Sequence, residues 1–128
     1  MSALQKIIEL LLKGANSMNT GNILQTARNY LNSGDFSEAE SLCQQVLSSE
    51  PDNLEALKLS SIIAMSAGDY GRAAQVFSRV ISVSASLGKE SAADYYNLGL
   101  AYINVGDSAS AVKYFQKSIE IQPELACV

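Results

Sequence analysis

Three aspartates, Asp35, Asp69 and Asp107, each follow a glycine, and a recurring set of carboxylates is the first place to look for a metal site. They recur at intervals of 34 and 38 residues. On stacked turns that spacing puts them about 10 Å apart, too far to share one ion. They are therefore read as turn and capping residues. The chain has no histidine, so general-base work or metal ligation would fall to carboxylates and to Cys43 and Cys127. No close pair of these has the spacing a site needs. Glu38, Glu40 and Asp94 read as solvated helix faces. The sequence nominates no catalytic residue, no metal ligand and no cofactor.

The pattern around each glycine is more informative than the aspartates themselves. Five residues after Gly34, Gly68 and Gly106 stand Ala39, Ala73 and Ala111; nine after stand Cys43, Phe77 and Phe115; seventeen after stand Pro51, Ala85 and Pro123. Before each glycine, Ala27, Ser61 and Gly99 fill one small position, and Tyr30, Ala64 and Tyr102 another. Periods of this length signal a solenoid of stacked units. Apolar residues recur at helical spacing on both sides of each turn, as in Ile23, Ala27, Tyr30 and Leu31 before and Ala39, Leu42, Cys43, Val46 and Leu47 after. Each unit is thus a helix, a tight turn and a second helix. The glycine supplies the left-handed residue that ends the first helix, Ser37 with Glu40 suggests a capping box, and Pro51 and Pro123 close second helices.

The third unit, with Tyr95, Leu98, Gly99, Tyr102, Gly106, Ala111, Phe115 and Pro123, resembles the tetratricopeptide repeat family. The first keeps Ala27, Tyr30, Gly34, Ala39 and Pro51, and the second keeps Gly68, Tyr70, Ala73 and Phe77. Cys43 stands for the usual aromatic residue, Ser118 for alanine and Ala85 for proline. The resemblance implies an all-α fold, a right-handed superhelix of three helical hairpins. Its expected boundaries are repeat 1 over residues 20–53, repeat 2 over 54–87, an insertion at 88–91 and repeat 3 over 92–125. Because Ala85 does not stop its helix, the second helix of repeat 2 is expected to run about one turn longer.

Both ends fall outside the pattern. Residues 1–19 read as an extra amphipathic helix and linker, with Leu4, Ile7, Ile8 and Leu11 on one face, widened by Leu10 and Leu12. Lys6 and Glu9 interrupt the apolar run, which argues against a secretory signal. A helix that apolar must be covered: the first expectation is a cap over the flank of repeat 1, with dimerisation or insertion into a groove as alternatives. Residues 126–128 read as the start of a truncated further helix in a longer protein, leaving the last repeat uncapped and open to self-association.

Composition bounds the partner. With 48% hydrophobic residues and two prolines the chain should fold. A net charge of −4 and the lack of a basic cluster argue against nucleic acid. No stretch reaches the roughly 18 apolar residues of a membrane span. Cys43 falls on a core position and reads as a small buried residue rather than half of a disulfide, so a reducing, cytoplasmic setting is expected.

In the tetratricopeptide repeat family the first helices line a concave surface that takes a partner segment. The matching residues are Leu24, Arg28, Leu31 and Asn32 in repeat 1, Lys58, Ile62, Met65 and Ser66 in repeat 2, and Tyr96, Asn97, Leu100 and Asn104 in repeat 3. They describe an apolar groove in which Arg28, Lys58, Asn97 and Asn104 could fix direction through hydrogen bonds or a carboxylate. The carboxylate clamp with which some relatives hold acidic chaperone tails would need polar residues at Leu24, Arg28, Leu59, Ala93 and Asn97, and none has the required type. The expected function is a non-enzymatic scaffold that binds a protein or peptide. The alternatives are an N-terminal regulatory or assembly domain of a longer enzyme, such as a glycosyl- or methyltransferase, and a homo-oligomerisation module.

Overall fold

The computed structural model describes residues 2–124, with the side chains of residues 9–19 left out of account. Among the described residues six α-helices follow one another: α1 Ala3–Asn32, α2 Phe36–Ser49, α3 Leu54–Ser66, α4 Tyr70–Ser86, α5 Ala92–Val105 and α6 Ser108–Ile121. They pair as three antiparallel hairpins, α1 with α2, α3 with α4 and α5 with α6, stacked so that α2 meets α3 and α4 meets α5.

One turn geometry builds all three hairpins. Gly34, Gly68 and Gly106 have φ of +82°, +80° and +89°, which a side chain disfavours. That left-handed residue points the next amide back over the helix end. The amides of Asp35, Asp69 and Asp107 donate to the carbonyls of Tyr30, Ala64 and Tyr102, each at 2.9 Å, so carbonyls that a helix end leaves without a partner are satisfied. The aspartates then start the second helices. Asp69 accepts from the Arg72 amide at 3.3 Å and Asp107 from the Ser110 amide at 3.1 Å.

Two local expectations fail. Ser37 and Glu40 form no capping box: Ser37 lies inside α2, Asp35 is the cap residue, and Glu40 reaches across to neighbouring helices. Nor does a linker separate the N-terminal helix from repeat 1 among the described residues. α1 runs unbroken through Gly14 and Gly21 into the first helix of repeat 1, although each glycine costs about 1 kcal/mol of helix propensity. Residues 126–128 and Cys127 lie outside the described residues.

The longer helix expected in repeat 2 is present. α4 has 17 residues against 14 in α2 and α6. Its stop is Gly88, at φ +67°, where the Lys89 amide donates to the Ser84 carbonyl at 2.8 Å. The segment read as an insertion supplies the same glycine cap that ends the first helices.

The core lies between hairpins as much as within them. Leu24 and Ala27 of α1, Ala39, Cys43 and Val46 of α2, and Ala56, Leu59 and Ile63 of α3 form one buried cluster. Ala64 of α3, Ala73, Ala74 and Phe77 of α4, and Leu98 and Ala101 of α5 form the next. Within the third hairpin aromatic rings take over: Tyr114 stacks on Tyr102 at 5.5 Å and lies 6.4 Å from Tyr95. Ser118 fits an alanine position because its buried hydroxyl donates to the Ala92 carbonyl at 2.8 Å. Gly99 is small for a steric reason, since a Cβ there would lie 2.6 Å from the Phe115 ring.

Gly99→Val should therefore destabilise the chain by about 1–3 kcal/mol in urea unfolding, more than the helix propensity it gains; an unchanged midpoint would contradict the close packing. Asp107 gives a pH test. Its hydrogen bonds with the Ser110 hydroxyl and amide hold its carboxyl below the ordinary value of 3.8. The resulting stability is present above that ordinary value and lost as pH falls through the lowered folded one. Asp107→Ala should lower the thermal midpoint at neutral pH, and the gap from wild type should narrow in strong acid.

Candidate interaction groove

The first helices α1, α3 and α5 bring residues at equal distances before their glycines into three rows: Arg28, Ile62 and Leu100; Leu31, Met65 and Ile103; Asn32, Ser66 and Asn104. Ile62 and Ile103 are exposed, while Met65 and Leu100 are half-buried. Together they give α3 and α5 an apolar strip. Ile103 belongs to it although the sequence reading left it out; it holds the position of Leu31 and Met65, which would have found it. Leu31 is half-buried against the first core cluster, and Asn32 and Ser66 are exposed. Asn97 is half-buried, and the Asn104 side chain donates to its own helix at the Leu100 carbonyl, 2.9 Å away.

Several expected groove residues play other parts. Leu24 is 0% exposed, locked in the core beneath α3 next to Ala56 and Leu59, so it has no surface to offer. Tyr96 is exposed, but its ring sits 5.5 Å from Phe115 and leans toward α6. The two cations expected to steer a partner carboxylate already have acids. Arg28 pairs with Glu55 of α3, and Lys58 of α3 lies 3.7 Å from Asp94 of α5. Asp94 is buried, not a solvated helix face. Each pair joins a first helix to the next one, so the wall of the groove is locally neutral. The sequence reading missed Glu55 and misplaced Asp94: the partners lie 27 and 36 residues apart, visible only once the helices are stacked.

A polar cluster joins α2, α3 and α4. The Glu40 carboxylate accepts from the Ser60 hydroxyl at 3.0 and 3.1 Å, from Gln44 at 2.7 Å and from Arg72. Its place, six residues after the turn glycine, is held by Ala74 and Val112 in the other repeats. Glu40 too is thus an inter-repeat contact and not a free surface charge. Beside it a cleft of about 430 Å³ is lined by Phe36, Ile63, Ala67, Asp69 and Arg72 among others. Among the described residues no three His, Cys, Asp or Glu side chains gather to hold a metal, and no helix is long and apolar enough to cross a membrane.

Comparison with known proteins agrees with this architecture. The tetratricopeptide repeat family matches residues 24–92 and, separately, residues 95–125. The chain belongs to that family. Superkiller complex protein 3 of Homo sapiens is 32% identical over 97 residues, covering 72% of this chain and 6% of that protein. A Thermobaculum terrenum O-GlcNAc transferase mutant is 28% identical with a TM-score of 0.71, over 84% of this chain and 20% of that one. The N-terminal domain of stress-induced protein-1 from C. elegans superposes with a TM-score of 0.78 at 16% identity, over 88% and 92% of the two chains, a likeness of fold alone. The chain spans a small fraction of the first two relatives.

Within the tetratricopeptide repeat pattern Cys43 is the departure with a chemical consequence. Burial pushes its thiol up to about 12; the Glu40 carboxylate adds to this, and Arg28 and Arg72 pull the other way. At neutral pH almost no thiolate exists to react. Cys43 should stay unlabelled by iodoacetamide in the native chain, as read by site-resolved mass spectrometry, and label fully in denaturant. Rapid native labelling would show that the first core cluster opens.

Proposed function

We propose that this chain is a non-enzymatic interaction module that binds a segment of a partner protein along the faces of α1, α3 and α5. The observation that carries the reading is the apolar strip of Ile62, Met65, Leu100 and Ile103, beside which the cations Arg28 and Lys58 are already neutralised. A strip of that kind favours the apolar face of a helix or an extended apolar segment over an acidic tail. An acidic tail would have to displace Glu55 or Asp94, and the buried Asp94 would then lose its counter-ion. Asn97 and Asn104 remain at the margin to fix direction through hydrogen bonds. A cytoplasmic setting suits this reading, since Cys43 is a free, buried thiol.

A second reading draws on the likeness to the O-GlcNAc transferase, 20% of whose chain is covered. On that reading the same groove would serve in the regulatory or assembly domain of a longer enzyme. Both readings place binding on the same strip.

Selection of phage-displayed random linear peptides on the immobilised chain tests it. Selected peptides should carry apolar residues at helical or alternating spacing with few acids, and Ile62→Asp with Leu100→Asp should abolish their binding while the helical circular dichroism signal is kept. Binding that survives both substitutions would remove the groove from the account.

A further inference from the structure

At the junction between repeats 2 and 3, the second helix offers an apolar row to the first helix that follows. In repeat 2 that row is Ala74, Phe77 and Ile81, and α5 covers it. The same register in repeat 3 is Val112, Phe115 and Ile119, and this row is open. Val112 is 54% exposed where Ala74 is 7% exposed, and Ile119 is exposed too. The register that α5 covers on α4 is thus exposed on α6 among the described residues.

The other end of the chain carries a helix of the matching kind. The Thr20 hydroxyl donates to Glu50 just past the end of α2, so the part of α1 before Thr20 projects beyond its hairpin partner. At 1.5 Å per residue these 17 residues extend about 26 Å, enough to lie along a 14-residue helix of about 21 Å. Leu4, Ile7 and Ile8 share one face of this projection and are all exposed, Leu4 at 67%. They do not cap the flank of repeat 1. In the sequence Leu4, Ile7 and Leu11 repeat the spacing of Ala56, Leu59 and Ile63, the residues with which α3 covers the first hairpin.

We infer that the α5/α6 face receives the projecting start of α1 from a second copy of this chain, so that copies stack head to tail and extend the solenoid. The contact is heterologous. One surface meets a different one, each copy keeps a free end, and the assembly grows without closing. The groove of α1, α3 and α5 is not used, so this inference stands apart from the proposed partner binding.

Light scattering after size exclusion across a concentration series tests it with two variants altered only at exposed positions: Ile7→Asp with Ile8→Asp blocks the leading helix, and Val112→Asp with Ile119→Asp blocks the trailing face. Wild type should rise above 13.7 kDa with concentration. Each variant alone should stay monomeric with its helical signal intact. An equimolar mixture of the two retains one intact surface of each kind and should form a dimer of about 27 kDa, twice the chain mass, that grows no further. A wild type monomeric at every concentration would overturn the inference. So would loss of association in the leading-helix variant alone with no recovery on mixing, the signature of a symmetric α1–α1 pair.

Discussion

A hairpin of two helices of about 14 residues cannot bury both of its apolar faces, and this constraint shapes the whole molecule. The glycine turn folds each hairpin back on itself. What remains exposed is a second face that only the next hairpin can cover, so each core cluster draws on three consecutive helices: Leu24 to Ile63 across α1, α2 and α3, and Ala64 to Ala101 across α3, α4 and α5. Stability in such an array is a sum of unit and nearest-neighbour terms. Among the described residues, the middle hairpin is covered on both sides, and the other two on one side each.

The two internal junctions solve the same packing problem with different chemistry. Between repeats 2 and 3 a phenylalanine, Phe77, fills the space beside Leu98 and Ala101. Between repeats 1 and 2 the smaller Cys43 stands in its place, and Glu40, Ser60 and Arg72 complete the contact with hydrogen bonds and an ion pair. A paired carboxylate in a partly dry site adds little net stability, but removing one partner strands the other. The first junction therefore gains direction more than strength. On the groove side, Arg28 with Glu55 and Lys58 with Asp94 tie the first helices together in the same register-setting way, leaving the apolar strip as the part of that face open to another molecule.

Much of the fold was legible because the turn chemistry is local. Gly34, Gly68 and Gly106 announce left-handed residues, and the small positions Ala27, Ser61 and Gly99 announce close helix approach. The long helix α4 was legible from Ala85, although its stop at Gly88 passed for a plain insertion. The continuity of α1 was not, because Gly14 and Gly21 weaken the helical signal while the neighbouring turns hold the backbone regular. Leu24 was misplaced because position along a helix does not reveal that α3 packs over it. The acids Asp94 and Glu40 read as surface charges for the same reason, and Glu55 passed without notice. Their partners lie on other hairpins, and only stacking brings them together.

Hydrogen exchange followed by mass spectrometry, on dilute chain, tests most directly the claim that burial between neighbouring hairpins holds this array together. Amides of α3 and α4, covered on both sides, should exchange slowest, and those of α6 and of α1 before Thr20 fastest, in a gradient from centre to ends. Equal protection along all six helices would show a single cooperative unit and contradict the account.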